Sequence, residues 1–271
     1  MHRAFLNFSL GQTHGQLHVR AHGEGGVPLI MLHAAPGSAL MLAPLQTRFP
    51  QKTMAIDLPG MGDSDALPDI ANREPEIADY AAAIEAALSS LKLAEIDIYG
   101  TLSGVRVALE LAARAKVNVR KLVLDGIGIP KPEQLPELLE HYAPAFAPDI
   151  NGTHLLNTFL LCRDQYLFYP WHARDAEHRR PTGLPTADAL HIKTMESLKS
   201  GAGFRPLIRA AFRYDVAAAM RKLKQPTLIS ADGAVVRADL PVIEFPPAEP
   251  LTCAADLLDK RAARILEFLA E

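Results

Sequence analysis

The sequence predicts an α/β protein, with a mostly parallel, twisted sheet flanked by helices and a helical segment inserted between two core strands. Three observations predict it. Continuous apolar runs such as 28–33 (PLIMLH) read as strands buried on both faces. These runs alternate with longer stretches whose apolar residues recur at helical spacing. The alternation then stops over 126–225 and resumes afterwards.

The elements follow in order. Two strand-like pieces, 3–8 and 16–20, open the chain around a Gly/Gln/Thr/His turn. The run 28–33 ends in a loop, Ala34-Ala35-Pro36-Gly37-Ser38. Residues 52–56 form another run, followed by the turn from Asp57 through Pro59, Gly60 and Gly62 to Ser64. Residues 75–91 read as helix, with Ile77, Tyr80, Ile84, Leu88 and Leu91 on one face and Pro75 near the start. Then come strand 96–99, helix 103–115 and strand 121–124. The stretch 126–225 is helix-like and loop material rich in Pro, His and aromatics. Strands resume at 226–230 and 240–245, and an amphipathic helix over 254–269 closes the chain. The expected organisation is a core over 1–130, a helical lid over 131–213 and the rest of the core over 214–271. A lid inserted there stands above the carboxyl ends of the strands, where open α/β sheets place ligands.

Composition excludes several classes. With 49% hydrophobic and 22% charged residues, the chain is not a disordered polymer. Its 28 basic and 31 acidic residues leave a net charge of −3, so neither a nucleic-acid stripe nor a polybasic membrane anchor is expected. Cys162 and Cys253 are too few for a disulfide framework or a cysteine-built zinc site. The opening MHRAFLNFSLGQ lacks the long apolar core of a signal peptide. No run approaches the ~20 apolar residues of a membrane span. The expectation is a cytoplasmic protein without metal or cofactor.

Three motifs resemble the α/β-hydrolase superfamily. His33-Ala34-Ala35-Pro36-Gly37 is similar to its oxyanion loop. The turn Asp57-Leu58-Pro59-Gly60-Met61-Gly62-Asp63-Ser64 is similar to its Asp-x-Pro-Gly-x-Gly-x-Ser segment. Gly100-Thr101-Leu102-Ser103-Gly104, between strand and helix, resembles its nucleophile elbow. Tyr214-Asp215, followed by Pro226-Thr227-Leu228, resembles the re-entry from lid to core. The resemblance spans nearly the whole chain and implies a hydrolase with a Ser-His-Asp triad.

The elbow departs from that pattern. Small residues must flank the apex at two before and two after, which places Leu102 at the apex between Gly100 and Gly104. Leucine has no nucleophilic atom. Shifting the register to Ser103 would put β-branched Thr101 and Val105 at the crowded flanks. Ser103 otherwise serves as an N-terminal helix residue that satisfies backbone donors. The resemblance places the base histidine in the loop after the last strand, but 246–253 holds none, and the last histidine is His191. The usual acid position falls at Ala234, with Asp232 nearby. Asp125 matches an alternative acid position, seen in haloalkane dehalogenases, or else serves as a hydrogen-bonded carboxylate at a strand end.

Binding elements remain. The resemblance assigns the amides of Ala35 and Ser103 to an oxyanion hole, the latter opening a helix. His33 would tie the oxyanion loop. The segment 164–172 packs Tyr166, Phe168, Tyr169 and the sole tryptophan, Trp171, into nine positions, as a pocket roof or a lid core. Pocket residues expected on these grounds are His33, Ser38, Leu102, Tyr166 and Trp171. One of the lid histidines, His141, His154, His172, His178 or His191, would have to substitute as base. Three functions compete. The first is binding of a small apolar or aromatic ligand without standard hydrolysis. The alternative is hydrolysis of a small ester through Ser103 or Asp125. The third is an interaction subunit that pairs with another chain, a homodimer being one form, through the trimmed edge at 231–240.

Overall fold

A computed structural model describes residues 1–271 except 69–72, 115, 146, 232–239, 242 and 244–248. Strands β1 (His2–Leu10) and β2 (Thr13–His22) form an antiparallel hairpin. Then follow β3 (Leu29–Leu32), a short helix α1 (Ala43–Gln46), β4 (Thr53–Ile56), α2 (Ile77–Ser89), β5 (Ile96–Thr101), α3 (Gly104–Arg114) and β6 (Val119–Ile127). The insertion carries α4 (Leu135–His141), α5 (Thr153–Asp164), α6 (Ala187–Ser200), α7 (Phe204–Arg213) and α8 (Val216–Lys222). The chain returns through β7 (Thr227–Ala231) and ends in α9 (Ala255–Ala270).

The sheet has seven strands in the order β1-β2-β4-β3-β5-β6-β7, and the β4 to β7 portion is parallel throughout. Burial explains why the parallel strands read as unbroken apolar runs. Along β3, Ile30 and Leu32 face one core with α2, α3 and α8, while Leu29 and Met31 face a second core with α1 and α9. A strand covered on both faces has no polar side to alternate with. The predicted helix start at Pro75 moves to Ile77, because Glu76 and Asp79 form a capping box in which Asp79 accepts the Glu76 N–H at 2.8 Å.

The predicted strand 240–245 lies partly outside the described residues. At its described positions, Pro241 accepts from the Ile229 N–H at 3.0 Å and Ile243 donates to the Ile229 carbonyl at 2.7 Å. Among the described residues, no helix is long and apolar enough to cross a membrane.

Candidate active site

The elbow forms in the register that the glycines require. Leu102 has φ +49° and is one of two non-glycine residues described with positive φ. A Cβ on Gly104 would fall 2.5 Å from the backbone oxygens of Leu32 and His33, and one on Gly100 would fall 2.8 Å from the Gly104 oxygen. Only a residue without a side chain fits either place. The left-handed backbone costs leucine about 1–2 kcal/mol, held by the Leu102 N–H donating to the Asp125 carbonyl at 2.9 Å.

Above this turn lies a cavity of about 710 Å³, walled by the oxyanion loop, the elbow, the inserted helices and the loop before α9. Leu102, Ser103 and Ala35 line it, as do Tyr166, Phe168 and Tyr169 from the aromatic segment. None of the ten histidines of the chain lines it. His141, His154, His172, His178 and His191 are all elsewhere.

Ser103 sits on the cavity wall, but its Oγ is engaged. It accepts a hydrogen bond from the Ala35 N–H at 2.7 Å. The hydroxyl thus satisfies a backbone donor, one belonging to the oxyanion loop rather than to its own helix. That donor is one of the two amides assigned to the oxyanion hole.

Asp125 does not line the cavity. Side chains alternate along β6, and this one points into the core under α9. There its carboxylate accepts from Tyr99 Oη at 2.8 Å and pairs with Arg261 Nη1 at 2.5 Å, both partners buried. Burial pushes its carboxyl above the usual range, against the pull of Arg261 and of the Tyr99 and Ser230 hydroxyls. Its partners are side chains, not the strand-end amides expected from the sequence.

His33, Ser38 and Trp171 also lie outside the lining, each held by its own contacts. His33 is fully buried: Nδ1 reaches the Ala34 carbonyl at 2.7 Å, and Nε2 accepts from the Leu58 N–H at 3.0 Å. That pair assigns the proton to Nδ1. Burial lowers its pKa, so the ring is neutral. Ser38 donates to Glu196 at 2.5 Å and accepts the Leu40 N–H at 3.1 Å. Trp171 is buried, and its indole N–H donates to the Tyr142 carbonyl at 2.8 Å.

Four charged residues of the described lining, Arg106, Arg180, Lys193 and Glu249, lie outside the candidates that the sequence offers. Arg106 is a lone cation in the otherwise apolar start of α3, a pattern that was legible. It is 7% exposed, and its Nη groups donate to the carbonyls of Leu102 and Gly128. Glu249 stands in the loop where the resemblance expected a histidine. It pairs with Lys193 from α6 and accepts from Tyr166 Oη at 2.9 Å, and its Oε1 has no hydrogen-bond partner among the described residues. Burial works to lower the Lys193 pKa, but Glu249 and Tyr166 raise it overall, so the ammonium is charged. Cys253 lines the same wall, and burial raises its thiol pKa, which leaves it a poor nucleophile.

Among the described residues, one group of potential metal ligands comes together: His18, Asp57 and Asp63. Its atoms are committed within the chain. His18 Nδ1 meets Asp57 at 2.9 Å, and its Nε2 accepts from Arg3 Nε at 3.0 Å. Asp63 pairs with Arg3 at 2.6 Å. Asp57 also accepts the N–H groups of Ala39 and Asp63, so this cluster ties the Asp57 turn to the oxyanion loop.

Comparison with known proteins agrees with this architecture. No curated protein matches the chain. Many solved structures do. A thermophilic esterase from Thermogutta terrifontis superposes with a TM-score of 0.70 at 16% identity, covering 100% of this chain and 98% of that one. E-2-(acetamidomethylene)succinate hydrolase gives 0.67 at 22% identity over 100% of both chains. An enol-lactonase from Burkholderia xenovorans LB400 gives 0.66 at 19% identity, over 95% and 97%. The likeness at these identities is one of fold. The family model of the alpha/beta hydrolase fold matches residues 27–164, half of the chain, and the chain belongs to that family.

Proposed function

We propose that this protein binds a small apolar or aromatic molecule in the cavity, with the inserted helices as its lid, and does not carry out Ser-His-Asp hydrolysis. The observation behind this reading is the cavity wall itself. The apex that should present an attacking atom presents Leu102, and no histidine lines the space around it. A hydroxyl without a base is a weak nucleophile at neutral pH. The aromatic lining suits an apolar ligand. The free thiols of Cys162 and Cys253 fit a reducing, cytoplasmic setting.

A second reading has one observation in its favour: Ser103 Oγ is on the cavity wall. It would make the protein a hydrolase of small esters with a non-standard site. Turnover of p-nitrophenyl acetate by the wild type and by Ser103→Ala separates the two. Equal, near-background rates support the binding reading. Turnover that vanishes in the variant would overturn it. Weak turnover equal in both proteins comes from the remaining dipoles, which still accelerate acyl transfer when a triad is missing.

A further inference from the structure

The cavity holds a charge imbalance that its own residues leave open. Its described lining contains three cations, Arg106, Arg180 and Lys193, and one carboxylate, Glu249. Lys193 and Glu249 neutralise each other as a buried pair. Arg106 and Arg180 have no carboxylate partner among the described residues. The Arg180 guanidinium donates to the Gln165 carbonyl at 3.2 Å and is half-buried.

Arg106 is the more telling of the two. At 7% exposure it is nine-tenths buried, and burial pulls its pKa down. A guanidinium offers five N–H donors. Two are used on the Leu102 and Gly128 carbonyls, while Nε has no hydrogen-bond partner among the described residues. A buried cation with open donors is costly unless an anion joins it. The same group lines a cavity with apolar and aromatic surface from Tyr142, Phe168, Ile208 and Phe212.

We infer that the ligand of this cavity is a small organic carboxylate with an apolar or aryl body, its carboxylate anchored by Arg106 and its body packed against those aromatic side chains. The inference rests on the binding reading above and specifies its ligand class. Arg106 is built for the task. Its two carbonyl bonds fix the plane of the guanidinium, and a planar fork matches a carboxylate. Arg180 adds positive potential in the same space. Glu249, already paired with Lys193, keeps a second anion from settling at the opposite charge.

The test is calorimetric titration with a series of arylalkanoates, from benzoate to 4-phenylbutyrate, each beside its primary amide. The amide keeps the body and removes the charge. The expected result is binding of at least one acid, roughly tenfold or more tighter than its amide, as a charged hydrogen bond in a dry site implies. Acids and amides binding equally would overturn the carboxylate inference and leave the binding reading standing. If neither binds, both fall. Arg106→Met should bring the acid down to the affinity of its amide, and Arg106→Lys should keep part of the preference. Arg106 also ties the elbow, so the acid-to-amide comparison in the wild type decides the matter even if Arg106→Met does not fold.

Discussion

Ser103 Oγ accepts the Ala35 N–H at 2.7 Å, which joins the elbow to the oxyanion loop through a side chain of the protein itself. In an acyl-transfer site such an amide waits for charge that develops on the substrate. Here the donor already has a partner, and the serine that could have been an attacking group serves as an acceptor. Ser103→Ala should cost about 1 kcal/mol in urea unfolding, the worth of one ordinary hydrogen bond. A loss near zero would mean that the Ala35 amide is equally well served without the hydroxyl.

Asp125 gives a prediction about the opposite face of the sheet. Its pair with Arg261 is fully buried. Taking the cation from a buried pair leaves the carboxylate in a dry core. Arg261→Met should therefore destabilise the fold by about 3–5 kcal/mol. Ligand binding, measured on whatever fraction stays folded, should not change, because neither side chain lines the cavity. A change in affinity without a change in stability would contradict this placement.

Much of this was readable from residue order, and the reasons differ by element. Parallel strands such as β3 announce themselves because both faces are covered. Gly100 and Gly104 fix the elbow register because a side chain at either would strike backbone. The side-chain placements were less legible. Asp125 matched a family position, but a one-residue step along a strand decides which face it joins, and only packing against α9 settles that. Trp171 looked like a roof residue, yet its N–H turns to the Tyr142 carbonyl. Glu249 occupies the loop where the resemblance implies a histidine, so that implication points away from a carboxylate there. Its partner Lys193 lies 56 positions away, and no local pattern joins them.

His33 sets a pH dependence. Its folded pKa is lowered by burial, so between that value and the unfolded value of about 6.5 the unfolded chain binds more protons. Stability should therefore fall as pH drops below about 6.5 and level off once the folded pKa is passed. A proton on Nε2 would also break the bond from the Leu58 N–H. His178 is shifted upward by Asp175 and contributes with the opposite sign. The difference between wild type and His33→Asn isolates the buried ring. Melting temperatures from pH 7.5 to 5 should drop more steeply in the wild type, and parallel curves would show that His33 does not titrate on unfolding.

The pair of Lys193 with Glu249 links α6 to the loop before α9 across the cavity. Both side chains are buried, and Tyr166 Oη holds the same carboxylate oxygen. Lys193→Met removes the cation and leaves Glu249 with the phenol alone, at a cost of about 3 kcal/mol. Glu249→Gln should cost a similar amount, since it leaves the ammonium facing a neutral amide. The double variant removes both charges at once and should recover much of the loss. Its stability should exceed the sum of the single effects by about 1–3 kcal/mol. Additive losses would mean that the two charges are solvated separately and that this pair does not hold α6 to the loop before α9. The double variant also leaves Arg106 and Arg180 in the cavity with no carboxylate among the described lining residues, so it should retain its preference for acids over amides.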